Sequence, residues 1–266
     1  MTTTTPFVDL GTEEVLLDVI DCVATLTLNR PAKLNAVTTR MSAAIVHAIG
    51  WCDRSDSVRA IVVTGAGDRA FSAGSDIAEL DRYATPWDFR NRTDYCDAIR
   101  AARTPTIAAV NGYALGGGLE TALSCDIRIA SSTASFGAPE VKLGWIGGGG
   151  MTSFLTHAIG PSNTAYMTMT GDRIDADRAL GWHLVSEVTE PSGLISRAWE
   201  IAATIASRAP IAAETAKINL RAAYSMSEDK ALEYERDLQT ICFATEDAAE
   251  GRRAFAEKRD PVFRRR

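Results

Sequence analysis

Two short runs rich in Val, Ile, Leu and Thr, Glu14–Ile20 and Cys22–Leu28, stand either side of Asp21 and predict an opening β-hairpin. Asn29-Arg30-Pro31 breaks that pattern. Over Thr38–Trp51 the spacing of Met41, Ile45, Val46 and Ile49 changes to that of a helix. Ala60–Thr64 is apolar enough for a buried strand and is followed by Gly65-Ala66-Gly67. Phe71–Asp76 reads as loop, and Ile77–Ala102 as helix with a break near Pro86. A further buried strand is expected at Thr106–Val110, a helix around Leu119–Ser124 after a glycine run, and a strand at Asp126–Ala130. Strand, helix, strand, helix, strand between residues 60 and 130 signals an α/β architecture with parallel pairing.

Beyond residue 148 the pattern changes. Gly147 to Gly150 are four glycines in a row leading into helical spacing, and only Leu184–Val188 reads as strand. From Ala198 to Glu257 nearly everything suits a helix, with Pro210 and Gly251 as punctuation. The expected organisation is an α/β core over residues 1–195 and a helical region over residues 196–266. With 46% hydrophobic and 23% charged residues in 266, the chain has an ordinary globular composition, which excludes disordered, collagen-like and disulfide-miniprotein classes. A formal net charge of -6 supplies no global positive field for nucleic acid, so no such partner is expected.

The longest apolar stretch, Thr106 to Cys125, is interrupted by Asn111, several glycines and Glu120, so no membrane span is expected. Residues 1–10 carry threonines and no basic leader, which argues against a secretory signal. Five scattered cysteines without a CxxC pair fit a reducing cytosol, with most thiols in the core.

Familiar catalytic signatures are missing. Gly65-Ala-Gly67-Asp-Arg-Ala70 matches the dinucleotide fingerprint GxGxxA, but that motif must open a helix at once, and Phe71-Ser-Ala-Gly74 follows instead. A tight turn after a strand is the better reading. Gly147–Gly150 lacks the Lys-Ser/Thr of a P-loop and is either a close-packed helix entry or a direct ligand contact. There is no GxSxG elbow, HExxH or calcium loop, and His47, His157 and His183 sit in mostly apolar segments where core or boundary histidines are usual. No metal site is expected.

Two glycine-bearing loops remain, Phe71-Ser-Ala-Gly74-Ser75-Asp76 and Asn111-Gly-Tyr-Ala-Leu-Gly116-Gly117-Gly118-Leu-Glu120. Each follows a buried strand and opens a helix, so unpaired backbone N–H groups point from both toward the carboxyl end of the sheet. They are either two sharp strand–helix turns or the halves of an oxyanion hole. Glu120 falls in a first helical turn, where an acid commonly does no more than complement the helix dipole. Its neighbours Leu115, Leu119, Ala122 and Leu123 are apolar, and desolvation opposes the dipole by raising a carboxyl pKa, which suits proton exchange near neutral pH. Glu140, in Phe136-Gly-Ala-Pro139-Glu140-Val-Lys-Leu-Gly144, is a second acid among apolar residues and turn formers.

At these residues the chain resembles the crotonase, or enoyl-CoA hydratase/isomerase, superfamily. The likeness runs through Leu28-Asn-Arg-Pro31 to Leu34-Asn35-Ala36, both glycine loops, the Glu140 segment and Glu250-Gly-Arg-Arg-Ala-Phe-Ala-Glu-Lys258-Arg259-Asp-Pro261-Val-Phe263, in order along nearly the whole chain. The resemblance implies a spiral of ββα repeats with a C-terminal helical region that trimerises, two trimers commonly pairing into a hexamer. It replaces the simple parallel-sheet reading of residues 60–130.

The same resemblance implies that the amides of Ser75 and Gly117 bind the thioester oxygen of an enoyl-CoA. Losing one such donor typically costs about 2.7–4 kcal/mol of transition-state stabilisation. Glutamates at both acid positions resemble the hydratases, with Glu120 activating water and Glu140 protonating Cα. Lys33, Asn35, Ala36, Ala73, Asp76 and Ile77 are the implied adenine and pantetheine contacts. Lys258 and Arg259 either reach the CoA phosphates, including those of a neighbouring subunit, or form a solvated basic end with Arg264–Arg266.

No cofactor is implied beyond the coenzyme A of the substrate. A double-bond isomerase is the nearest rival reading, and a non-catalytic or RNA-binding relative a distant one. Two departures from the family pattern stand out. Ile146-Gly147-Gly-Gly-Gly150-Met151-Thr152 replaces the usual Ile-Pro-Gly-Ala-Gly-Gly-Thr, and Trp145 is bulkier than the usual residue, which hinders long straight acyl chains if it lines the acyl pocket.

Overall fold

The computed structural model describes residues 8–266, so most of the threonine-rich start lies outside the described residues. Strands β1 (Val15–Ile20) and β2 (Val23–Leu28) form the expected antiparallel hairpin. Its two-residue turn, Asp21-Cys22, takes positive φ at both positions, 45° and 66°, the turn geometry that follows the twist of the strands. Helix α1 (Thr39–Arg54) starts where the Thr38 hydroxyl accepts the Met41 N–H at 3.1 Å, and it buries a stripe from Met41 to Cys52.

Next come β3 (Ala60–Gly65), β4 (Ala70–Ser72) and three short helices, α2 (Ile77–Leu80), α3 (Pro86–Arg90) and α4 (Tyr95–Ala101). The expected helix over residues 77–102 is thus broken twice, because Thr85 and Asp94 each cap a new start. β5 (Thr106–Val110), β6 (Tyr113–Leu115), α5 (Gly117–Ser124), β7 (Ile127–Ser131), β8 (Ser135–Gly137) and a 3₁₀ turn at Pro139–Leu143 lead to α6 (Met151–Thr170). That helix is interrupted at Gly160-Pro161, where Gly160 has φ 76° and Pro161 starts the second piece. β9 (Arg173–Asp175), α7 (Ala176–Gly181), β10 (Glu187–Thr189) and helices α8 (Leu194–Ala206), α9 (Pro210–Ala222), α10 (Glu228–Phe243) and α11 (Glu246–Glu257) complete the chain.

The strands form a six-stranded sheet, β1-β2-β3-β5-β7-β10, and a four-stranded sheet, β4-β6-β8-β9. Each long strand of the first, β3, β5 and β7, is followed at once by a short strand of the second, and neighbours within each run are parallel. The chain therefore winds as a spiral of ββα turns. Plain strand–helix alternation over residues 60–130 is incomplete because β4 and β6, like β8 just beyond, have three residues each, too few to display an alternating pattern. β9 escapes for the same reason. The strand expected at Leu184–Val188 lies at Glu187–Thr189 instead, and Leu184 and Val185 are buried ahead of it.

Both faces of the large sheet are covered, as a parallel sheet requires. Ile61, Val63, Ala108 and Val110 face the main core with α1 and α5. Ala60, Val62, Ile107 and Ala109 face α8, whose Leu194, Ala198, Ala202 and Ala206 recur once per turn. Cys52, Cys96 and Cys125 are buried, and all five cysteines are free. His47, His157 and His183 are exposed, so the core or boundary placement expected for them does not hold.

Candidate active site

The loop after β4 and the start of α5 meet because the strands that launch them, β4 and β6, are parallel neighbours. Val37 forms an isolated parallel bridge with Ser75, taking a bond from the Asp76 N–H at 2.9 Å and donating its own to Gly74 at 2.8 Å. In that pattern the Ser75 N–H points away from Val37. The Gly117 N–H opens α5 and has no earlier helical carbonyl to bond. Among the described residues neither amide has a protein acceptor. They are close. A Cβ built on Gly117 would lie 3.3 Å from the Ser75 nitrogen, and one on Gly74 would lie 2.7 Å from the Gly117 nitrogen.

Glu120 sits one turn into α5 and is 6% exposed. Its Oε1 accepts the Gly149 N–H at 2.6 Å and the Met151 N–H at 3.3 Å. No side chain caps α6 from its own Gly150 start, so Glu120 supplies that cap from the neighbouring helix. The glycine run is therefore a helix entry and, at Gly147 and Gly148, a cavity wall. Cβ atoms built on Gly147 and Gly149 would each stand 2.8 Å from a Glu120 carboxylate oxygen, so the acid leaves no room for side chains there. Met151, which stands in the same segment where the family pattern has a glycine, is buried, and its Cβ would be 2.5 Å from a Cβ on Gly147. The two replacements fit each other.

Glu140 projects from the 3₁₀ turn, which ends at Gly144 with φ 86°. Its Oε1 lies 3.2 Å from where a Gly116 Cβ would be, and its Oε2 is buried without a hydrogen-bond partner among the described residues. Burial raises the Glu120 carboxyl above the ordinary carboxylate range, the Gly149 N–H pulls it back, and the charge of Glu140 raises it again. Burial likewise raises Glu140. Both acids hold a proton more tightly than a solvated glutamate, as proton transfer near neutral pH requires.

These groups share one cavity of about 470 Å³. Ala73, Ser75, Ile77, Gly117, Glu120, Glu140 and Trp145 all line it, as expected from the sequence, and Trp145 is 41% exposed there. Asp76 does not. It turns into a small adjoining crevice, pairs with Arg30 at 3.0 Å and caps α2. The Asn35 carboxamide is fully buried and committed to Arg30, Ala66 and Ala70 backbone groups, so it is a loop fastener. Lys33 is exposed and the Ala36 carbonyl accepts from Arg30, neither on the cavity wall. Lys258 and Arg259 also lie off it. Arg259 is held by Glu250 and Glu257 at 2.6 Å each, an ion-pair clamp on the tail that sequence reasoning did not foresee.

Leu80, Phe89 and Arg92 also line the cavity and were missed. Arg92 stacks over Phe89 at 4.4 Å and pairs with Asp94. The available signal was large apolar side chains left in a polar segment, Trp87 and Phe89 around Pro86.

The chain matches the enoyl-CoA hydratase/isomerase family over residues 19–266. It belongs to that family. Among curated relatives of this enoyl-CoA hydratase/isomerase member, the short-chain-enoyl-CoA hydratase of Clostridium acetobutylicum is 40% identical over 251 residues, 92% of this chain and 95% of the relative. The crotonyl-CoA hydratase of Syntrophomonas wolfei is 36% identical over 255 residues, 94% and 98% of the two chains. Among solved structures, an enoyl-CoA hydratase subunit from Geobacillus kaustophilus superposes with a TM-score of 0.89 at 39% identity, covering 95% of this family member and 98% of that chain.

Proposed function

We propose that this protein is an enoyl-CoA hydratase, adding water across the 2,3 double bond of a short 2-enoyl-CoA. One observation carries the reading: two buried carboxyls, Glu120 and Glu140, share a cavity wall with the converging Ser75 and Gly117 amides. In this reading the two N–H groups donate to the thioester oxygen and stabilise its enolate charge. Glu120 takes a proton from water as the water oxygen bonds to Cβ, and Glu140 gives a proton to Cα as the enolate collapses. The net change is one water added and both acids restored after proton exchange. Each acid contributes about 10²–10⁴-fold. No metal or redox group enters this scheme, and coenzyme A arrives with the substrate.

Trp145, Leu143 and Ile146 wall the acyl end, which favours short chains over long straight ones. Ala73 and Ile77 flank the pantetheine arm, and Lys33, Ala36 and the Asp76 segment lie toward the adenine. Lys258, exposed and without an ion pair among the described residues, is the cation for a CoA phosphate, reached from a neighbouring protomer. The supporting feature for such an assembly is α10, which buries no residue of its own. No helix among the described residues is long and apolar enough to cross a membrane. Action in the cytoplasm completes the proposal.

The test uses two substrates. Crotonyl-CoA is expected to lose its conjugated-enoyl absorbance on mixing with the protein, and 3-butenoyl-CoA to gain little. The reverse pattern, absorbance appearing from the 3-enoyl thioester with crotonyl-CoA untouched, would make the protein an isomerase.

A further inference from the structure

Four glycines in a row carry no side chain that could fix their own path, and an unrestrained run of this kind is conformationally free. The path of Gly147–Gly150 nevertheless decides where the Gly149 N–H points, and that N–H holds Glu120 Oε1 at 2.6 Å. Something outside the loop must set it. Gly150 rests against the ring of Phe154. From α4, Arg100 spans the gap. Its Nη1 donates to the Gly149 carbonyl at 3.5 Å, its guanidinium stacks over Phe154 at 4.9 Å from the ring centre, and Asp97 holds it through an ion pair.

We propose that Arg100 is a positioning residue: by fixing the carbonyl of Gly149 it aims the N–H of the same residue at Glu120. Held at its carbonyl by Arg100 and at its N–H by Glu120, Gly149 is tied on both sides of its φ/ψ pair, so the amide and the acid keep one mutual geometry. A misplacement of about 1 Å at such a group can cost about 10²-fold in rate. The proposal deepens the hydratase reading and rests on it only for the rate measurement.

The other groups coupled to Glu120 or sharing its cavity are known. Glu140 comes from the 3₁₀ turn, Asp94 caps α4, and Arg92 lines the same cavity, while buried Tyr95 and Cys96 are held neutral. Of these, the Cys96 thiol also feels the Arg100 charge, which lowers it against the larger effect of burial, so the charge-keeping Arg100→Lys variant is what ties a shift in Glu120 to the clamp.

Arg100→Met keeps the aliphatic stem and removes the donors. The readout is the infrared carboxyl band of Glu120, assigned by its loss in Glu120→Gln and titrated with pH. With its N–H partner loosened, Glu120 is expected to titrate at higher pH than in the wild type. Arg100→Lys retains the charge but not the reach or the fork, so most of the shift is expected to persist there. A wild-type titration in Arg100→Met overturns the proposal, and so does a shift that vanishes in Arg100→Lys, which would make it a simple through-space charge effect. If Arg100→Met does not fold, Asp97→Asn, which frees Arg100 from its tether, is expected to move the band the same way, and an unmoved band refutes the clamp. For crotonyl-CoA, kcat is expected to fall about 10–10²-fold with KM held within about twofold. Failure of the wild type to hydrate crotonyl-CoA, with the band still shifted, would sink the hydratase reading and leave the positioning role standing.

Discussion

At the scale of single residues, the site combines two acids that the fold pushes toward protonation with two amides left unbonded among the described residues. The sign of the stability effect follows. Burial raises both carboxyls, so the folded state binds their protons more tightly than the unfolded chain. The ionised pair therefore costs stability. That cost is absent below the unfolded glutamate range, about 4.3, and complete once the pH exceeds the raised folded values. Glu140, whose Oε2 has no hydrogen-bond partner among the described residues, shows this most simply. Glu140→Gln is expected to raise the melting temperature at pH 7 and to leave it nearly unchanged at pH 4. A variant that melts lower at pH 7 would mean the carboxylate is stabilised in place.

At the scale of elements, the spiral depends on close layers. Helix α8 meets the sheet through Ala198, Ala202 and Ala206, small side chains one turn apart on residues of β3 and β5. Ala202→Leu forces the helix off the sheet and is expected to cost about 1–3 kcal/mol, read as a lower midpoint in urea. An unchanged midpoint would show slack in that layer. How much of this was legible beforehand depends on element length. The hairpin, α1, β3, β5 and β7 announce themselves because five to sixteen residues carry a period or a largely apolar run. The three-residue strands β4, β6 and β8 do not, although they swing both amide loops to one place.

The site was legible in another way. Ser75, Gly117, Glu120 and Glu140 stand in motifs with turn formers and could be read as candidates that line one cavity, whereas Leu80, Phe89 and Arg92 belong to α2, α3 and the turn beyond, where no local rule marks a cavity wall. Asn35 reads in sequence as a ligand contact, whereas its carboxamide is taken up by the backbone of Arg30, Ala66 and Ala70; a buried asparagine fastening loops and an exposed one touching a ligand look alike in sequence. Gly147 and Met151 were visible as changes within one segment but not as a matched pair, since their contact is steric.

At the scale of the whole molecule, the C-terminal tail is fastened to the body. Asp247 accepts the N–H groups of Arg264 and Arg265 at 2.7 and 2.8 Å, and Arg265 reaches Glu214 at 2.6 Å. The helices so held leave Ile241 60%, Phe243 64% and Phe255 86% exposed, large apolar groups suited to packing against further copies of the chain. Sedimentation equilibrium is expected to give three or six chain masses, and Ile241→Glu to shift the protein toward the monomer. A wild-type monomer at micromolar concentration would refute the assembly.

The central claim is that two acids and two amides act on one enoyl thioester, and steady-state hydration of crotonyl-CoA by Glu120→Gln and Glu140→Gln tests it most directly. Each variant is expected to lose about 10²–10⁴-fold in kcat while still binding the thioester as the wild type does. Turnover within about tenfold of wild type in either folded variant, a barrier change of only about 1.4 kcal/mol, would contradict the account.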